Sequence, residues 1–216
     1  LALYEVQEAV QVQVWGQTIS AFDMGNVAAQ WFTDFLGQTP QGKAIGPLRL
    51  VRFDPDHVRT SDSQWTAGVA AKNQFSDGFP YLVCSQSSLE GLNQRLTSQG
   101  HAAVDLRRFR PNIVLAPAPG HTWQAHDEDR VDLLRIQTAG GLVQLRPVKP
   151  CPRCLMVDND PHTAEHSPGV LQTLQGYRQD ARLEGAASFG MNLMTVSGFE
   201  QTLAVGQPVQ ASLSWR

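Results

Sequence analysis

Residues 10–14 read Val-Gln-Val-Gln-Val, an alternation of period two that predicts a strand with one apolar face. Trp15-Gly16 punctuates the run, and Ile19 and Ala21 repeat the alternation. The period then changes. Ala28, Trp31, Phe32, Phe35 and Leu36 fall at helical spacing behind Asn26, a capping residue, with Gly37 as the stop signal. Pro40, Gly42, Gly46 and Pro47 break the chain before a short strand at 48–53, and residues 54–74 are polar and aperiodic, which predicts a long loop. A buried strand follows at 81–84. Ser87 with Glu90 forms a capping box for a helix carrying Leu89, Leu92 and Leu96, closed by Gly100. Further strands are predicted at 112–116, 131–137 and 142–148. Ser167-Pro168 opens a third helix, with Val170, Leu171, Leu174 and Tyr177 on one stripe. The tail alternates again at Val209, Ala211, Leu213 and Trp215. Many short strands with three isolated helices predict a β-dominated α+β fold of barrel type rather than a doubly wound sheet.

Composition narrows the function classes. A chain of 216 residues with 42% hydrophobic content is a folded protein of one large domain or two small ones. No apolar run reaches the roughly 18 to 20 residues that cross a bilayer, and no signal-peptide pattern opens the chain, so no membrane span and a cytoplasmic location are expected. The net charge of -3 argues against non-specific nucleic-acid binding. Arginine outnumbers lysine 14 to 3, and arginine supplies the planar fork that suits phosphate and carboxylate. There is no glycine-rich phosphate loop and no nucleophile elbow, which removes the dinucleotide, P-loop and α/β-hydrolase classes.

The reactive groups concentrate in Lys149-Pro150-Cys151-Pro152-Arg153-Cys154, placed between a strand end and a loop. A thiolate is a nucleophile and a metal ligand, and a neighbouring arginine favours the charged form. Four readings stand side by side. Both thiols can be small buried hydrophobes. They can form a redox dithiol, although the usual βαβ setting is missing. With His162 and His166 they make Cys-x2-Cys-x7-His-x3-His, four ligands for zinc. Or one thiolate holds a soft transition metal while arginines elsewhere hold an anionic cofactor. Arg107, Arg108 and Arg110 supply such arginines. Pro111 predicts an extended Arg110 at the start of a strand, with the Asn112 amide beside it, a pair suited to a phosphate or a pterin edge. The plainer alternative is a solvated basic patch. Asp77 belongs to an Asp-Gly turn signal or serves as a general acid. In Phe189-Gly190-Met191-Asn192-Leu193, glycine permits close approach of backbone and the Asn192 amide to a ligand, or marks a bulged strand.

Taken in order, FSDGFPYLVCSQSSLEGLNQRL (75–96), RFRPNIVL (108–115), KPCPRC (149–154), PGVLQTLQGYR (168–178), FGMNL (189–193) and LAVGQPV (203–209) resemble the MOSC family. That domain is named after the C-terminal region of molybdenum-cofactor sulfurases. The likeness is greatest to the branch that includes the mitochondrial amidoxime reducing component and its bacterial relatives. Residues 14–37 are similar to the last part of the β-barrel module that precedes MOSC in this branch. The resemblance implies an incomplete N-terminal module over 1–45 and a MOSC domain over 46–216, built as a β-barrel with a few peripheral helices. It implies a molybdenum–molybdopterin cofactor and no zinc. Cys154 takes the role of metal ligand. Cys151, Pro152 and Arg153 line the site, Arg110 and Asn112 hold the cofactor, and Asn192 is a further cofactor-lining residue. The implied reaction is two-electron reduction of a small N-hydroxylated substrate, with Asp77 delivering a proton. Electrons come from a separate donor protein, a flavin or iron–sulfur reductase. A non-catalytic module that carries cofactor or sulfur is the alternative.

Overall fold

The computed structural model describes residues 8–38 and 43–214, so Pro40, Gly42 and Trp215 lie outside the described residues. It divides into two compact units. One is formed by the chain up to Ser61 together with Lys72–Gly78, the other by Asp62–Ala71 and the chain from Phe79 onward.

In the first unit, β1 (Ala9–Val14), β2 (Gln17–Asp23) and β3 (Val51–Phe53) form an antiparallel sheet in that order. Trp15 and Gly16 both take positive φ, 50 and 77, the two-residue turn whose twist matches a hairpin. Helix α1 (Asn26–Leu36) starts one residue earlier than a cap at Asn26 predicts: Gly25 is the capping position, and its N–H is held by the Asp23 carboxylate at 2.7 Å. The apolar stripe of α1 also differs from expectation. Ala28 and Ala29 are buried, whereas Trp31 and Phe35 stand 57% and 73% exposed and stack on each other with ring centroids 5.3 Å apart. The stretch predicted as a featureless loop contains β4 (Arg59–Thr60) paired with β5 (Lys72–Asn73). Arg59 staples it. Its side chain is buried and donates to Gln17 Oε1 at 2.8 Å and to the carbonyls of Ser76 at 2.6 Å and Asp77 at 2.9 Å.

The second unit is built on six strands: β6 (Tyr81–Ser85), β7 (Ile113–Leu115), β8 (Val131–Thr138), β9 (Gly141–Pro152), β10 (Ser188–Ser197) and β11 (Val209–Leu213). Their order is β11-β8-β9-β10-β6-β7, antiparallel except for β6 with β7, and the sheet is curled as a half-barrel. The fold is β-dominated α+β, as the periodicities predict. One face of the sheet buries Val83, Leu134, Leu145, Met191 and Leu193. The other buries Leu82, Cys84 and Phe189 against Leu92 and Leu96 of α2 (Gln86–Ser98) and Val170 and Leu174 of α3 (Val170–Gln175).

Both helices start elsewhere than the local signals place them. Ser85, not Ser87, caps α2 by accepting the Ser88 N–H at 3.1 Å, and Glu90 is exposed. Helix α3 begins at Val170 rather than at Ser167-Pro168; the buried Asp158 carboxylate accepts the N–H groups of Val170 at 2.9 Å and Leu171 at 3.1 Å. Strand β9, which also contains Pro147, runs past its predicted end at 148 through Pro150 and Pro152. Its pairing with β8 stops at Leu145, so the prolines fall where one edge is free, and register shifts in β10 take up the irregularity on the other. Among the described residues no helix is long and apolar enough to cross a membrane.

Candidate functional site

Because β9 extends to Pro152, Cys151 lies inside a strand rather than at its end, and Cys154 follows with an extended backbone, φ -112 and ψ -178. Side chains three residues apart on extended chain point to opposite faces. Cys151 is accordingly half-buried against the Cys84–Phe189 cluster, and Cys154 is exposed. Three extended residues separate Cα atoms by about 10 Å, beyond the reach of roughly 7 Å within which a disulfide closes. An extended stretch of this kind disfavours a redox dithiol of these two thiols. Cys84 is a packed core thiol, pushed up to about 12 by burial. Among the described residues no three His, Cys, Asp or Glu side chains converge as a metal site; His166 is instead exposed, with Nδ1 3.0 Å from Asn159 Oδ1.

Arg153 does not reach outward as a free cation. Its Nε and Nη2 donate to the Phe189 carbonyl at 3.0 and 2.6 Å, its Nη1 to the Phe109 carbonyl at 3.1 Å, and its backbone N–H to Ala187 at 2.9 Å. The guanidinium lies 5.3 Å from the Phe109 ring, which stacks on Phe189 at 4.0 Å. Three segments meet at this one side chain: the 3₁₀ turn Leu106–Phe109, the start of β10, and the stretch that carries Cys154.

Arg110 follows that turn. Its backbone is left-handed, φ 55 and ψ 47, rather than extended: its N–H closes the 3₁₀ turn on the Arg107 carbonyl, and the reversal this needs puts the residue at positive φ. The side chain is exposed. Arg108 points the other way, buried and paired with Asp160 at 3.1 Å. Asn112 has half its amide committed, since Oδ1 accepts the Leu82 N–H at 2.9 Å while its own N–H donates to the Leu82 carbonyl. Leu82 is the register partner of Asn192, and Asn192 that of Lys149. Leu82, Asn192 and Lys149 thus line up across β6, β10 and β9, with Asn112, just before β7, bonded to Leu82 at the end of the row. Lys149 Nζ lies 5.0 Å from the Trp65 ring. Asn192 sits between two of the register shifts of β10, so it is both a bulge neighbour and a half-exposed amide on this row. Arg110, Asn112, Cys151, Pro152, Arg153, Cys154 and Asn192 all belong to the second unit. Asp77 belongs to the first, where its exposed carboxylate accepts from Trp15 Nε1 at 3.3 Å.

A buried polar cluster around Glu128 has no local sequence signal. Glu128 is wholly buried, with Oε2 and Oε1 accepting from Ser85 Oγ at 2.9 Å and Ser88 Oγ at 2.6 Å. Next to it Arg178 binds Asp129, and His126 packs its ring against Tyr177 and Phe189. Burial pushes His126 down to about 4, helped by Arg178 and Arg95. Below its ordinary value of 6.5 the unfolded chain gains a proton that the folded chain refuses until about pH 4, so stability falls as pH falls through that window. Burial pushes the Asp129 carboxyl up, with the opposite sign. Replacing His126 by Phe keeps Asp129 and should flatten the acid limb of a urea-midpoint profile; an unchanged profile would show that this histidine takes up its proton as readily in the fold as in the unfolded chain.

The half-barrel sheet, with an exposed thiol beyond its longest strand and an arginine-bound turn beside it, defines the class. Residues 70–210 match the MOSC domain, and the chain belongs to the MOSC family. Among curated relatives it is 34% identical over 206 residues to human mitochondrial amidoxime-reducing component 1, covering 91% of this chain and 54% of that protein. Bovine mitochondrial amidoxime reducing component 2 is 32% identical over 169 residues, 77% of this chain and 44% of that protein. The molybdenum cofactor sulfurase of Caenorhabditis briggsae is 28% identical over 200 residues, 93% of this chain and 22% of that protein. The chain spans about half the length of the amidoxime-reducing relatives.

Proposed function

We propose that this protein binds a molybdenum–molybdopterin cofactor and reduces small N-hydroxylated compounds. The observation that carries the reading is the exposed Cys154 thiol, held at the end of β9 by an arginine whose donors are spent on backbone. The donor set fits the group: a soft thiolate for molybdenum, the exposed Arg110 for an anionic tail, and free amide capacity at Asn112 and Asn192 for a pterin edge. When bound, the cofactor supplies a two-electron couple. The chain's part is to orient it. Cys154 would ligate the metal, the exposed Pro152 would line the site, Arg110, Asn112 and Asn192 would fix the organic portion, and Cys151, half-buried against the core, would pack behind them. Asp77 is proposed as a proton donor on the strength of its exposed carboxylate and a backbone pinned by Arg59. Electrons come from a separate flavin or iron–sulfur reductase. Cysteines outside disulfides suit a reducing, cytoplasmic setting.

The test uses the purified protein. Molybdenum and released pterin are measured together with zinc, and benzamidoxime reduction is followed with an artificial electron donor. Cys154→Ala is expected to abolish reduction and to lower bound molybdenum to background. Zinc at one equivalent without pterin would overturn the reading. The likeness to a cofactor sulfurase supports a second reading, a carrier module, which bound molybdopterin without turnover would establish.

A further inference from the structure

Arg153 holds two carbonyls, those of Phe109 and Phe189, and each is followed at once by a residue in the left-handed region: Arg110 at φ 55 and Gly190 at φ 76. Glycine adopts that region freely, but an arginine there is strained and persists only where its surroundings over-determine it. The strain at Arg110 is held from two sides. Its own N–H closes the 3₁₀ turn on Arg107, and the peptide carbonyl just before it is fixed by Arg153 Nη1 at 3.1 Å. The planar fork is what makes this possible, because Nε and Nη2 grip one carbonyl while Nη1 grips the other; a lysine ammonium on a flexible stem cannot span both.

We infer that Arg153 is a positioning residue: it locks the left-handed turn that aims Arg110 and ties that turn to the start of β10 and to the Cys154 segment. Its charge does not serve as an anion-binding group. The three elements that would hold the cofactor are thus brought into register before any cofactor arrives. The consequence for cofactor binding rests on the function proposed above; the lock itself does not.

A double-mutant cycle on the protein tests the lock without reference to cofactor. Arg153→Lys keeps the charge and removes the fork. Arg110→Gly needs no holding in the left-handed region. Arg153→Lys is expected to lower the melting temperature in the wild-type background, and by less than half as much in the Arg110→Gly background. If the fall is equal in both, the lock is overturned. If Arg153→Lys alone does not fold, recovery of a folded protein in the Arg110→Gly background supports the lock, and failure in both overturns it. Hydrogen exchange gives the second readout: amides of 107–112 and 187–192 should lose protection together in Arg153→Lys while those of β8 keep theirs. In the same preparations, bound pterin is expected to fall at least tenfold in Arg153→Lys. Wild-type pterin content in that variant would show that a single charge suffices and would sink the positioning role. Absence of pterin from the wild type would sink the functional reading, leaving the cycle and the exchange data to judge the lock.

Discussion

Gly190→Ala should lower stability by about 2–5 kcal/mol, read as a shift in the urea unfolding midpoint, the sum of a left-handed backbone penalty and overpacking. Gly190 has φ 76, and a Cβ there would stand 2.5 Å from the Val83 carbonyl oxygen and 2.6 Å from Cys84 Sγ. Neither neighbour can move cheaply. The carbonyl belongs to central strand β6, and Cys84 is packed at 0% exposure in the core. The damage should reach the site, since Gly190 follows the carbonyl that Arg153 grips and precedes Asn192 by two residues. Gly100 is the control. It also has positive φ, 84, but meets nothing within 4 Å, so Gly100→Ala carries only the backbone penalty of about 1 kcal/mol. Equal losses in the two variants would show that crowding at β6 contributes nothing.

This glycine illustrates what the sequence can carry. FGMNL announces a close approach of backbone to something, and the structure shows that the nearest partners are strand β6 and a core thiol. Period-two and helical spacing located most strands and all three helices, because those signals are local. Features set by distant segments were out of reach. The prolines of KPCP argue for the end of a strand, yet β9 continues where β8 no longer pairs and β10 bulges. Pro111 argues for an extended Arg110, yet turn closure and the grip of Arg153 on Phe109 take it to positive φ. The stripe of α1 argues for a buried face, yet only its alanines are buried and Trp31 stacks on Phe35 instead.

The candidate site divides along the same line. That Cys154 is the exposed thiol and Cys151 the half-buried one follows from extended backbone, which two cysteines at this spacing do not reveal by themselves. Asn112 reads as a ligand-facing amide, but its carbonyl is committed to Leu82, leaving the NH₂ group for any cofactor. Asp77 belongs to one compact unit and the thiol segment to the other, a division that the motifs themselves do not show. Arg153 stands out in sequence as a cation between thiols. Its use as a clamp on two carbonyls depends on segments more than 30 residues away.

Glu128→Ala is expected to cost about 2–5 kcal/mol, since it empties a core site and strips two buried hydroxyls of their acceptor. The carboxylate is wholly buried and takes Ser85 Oγ and Ser88 Oγ, one on each oxygen. Ser85 is the cap of α2 and Ser88 lies in its first turn, where Ser88 Oγ also accepts the His126 N–H at 2.8 Å. The first turn of α2 has no acidic residue of its own, so the anion that complements its positive end arrives from a segment 40 residues on. The capping box at Ser87 and Glu90 assigns that role to Glu90, which is exposed. Thermal or urea unfolding of the two alanine variants separates the assignments: Glu90→Ala should shift stability by no more than about 0.5 kcal/mol, as surface changes do. Glu128→Gln, which keeps the shape and removes the charge, should fall between them, losing about 1–2 kcal/mol of charge–dipole stabilisation. Should Glu90→Ala prove the more damaging, the helix is capped from its own sequence and the buried carboxylate holds nothing in place.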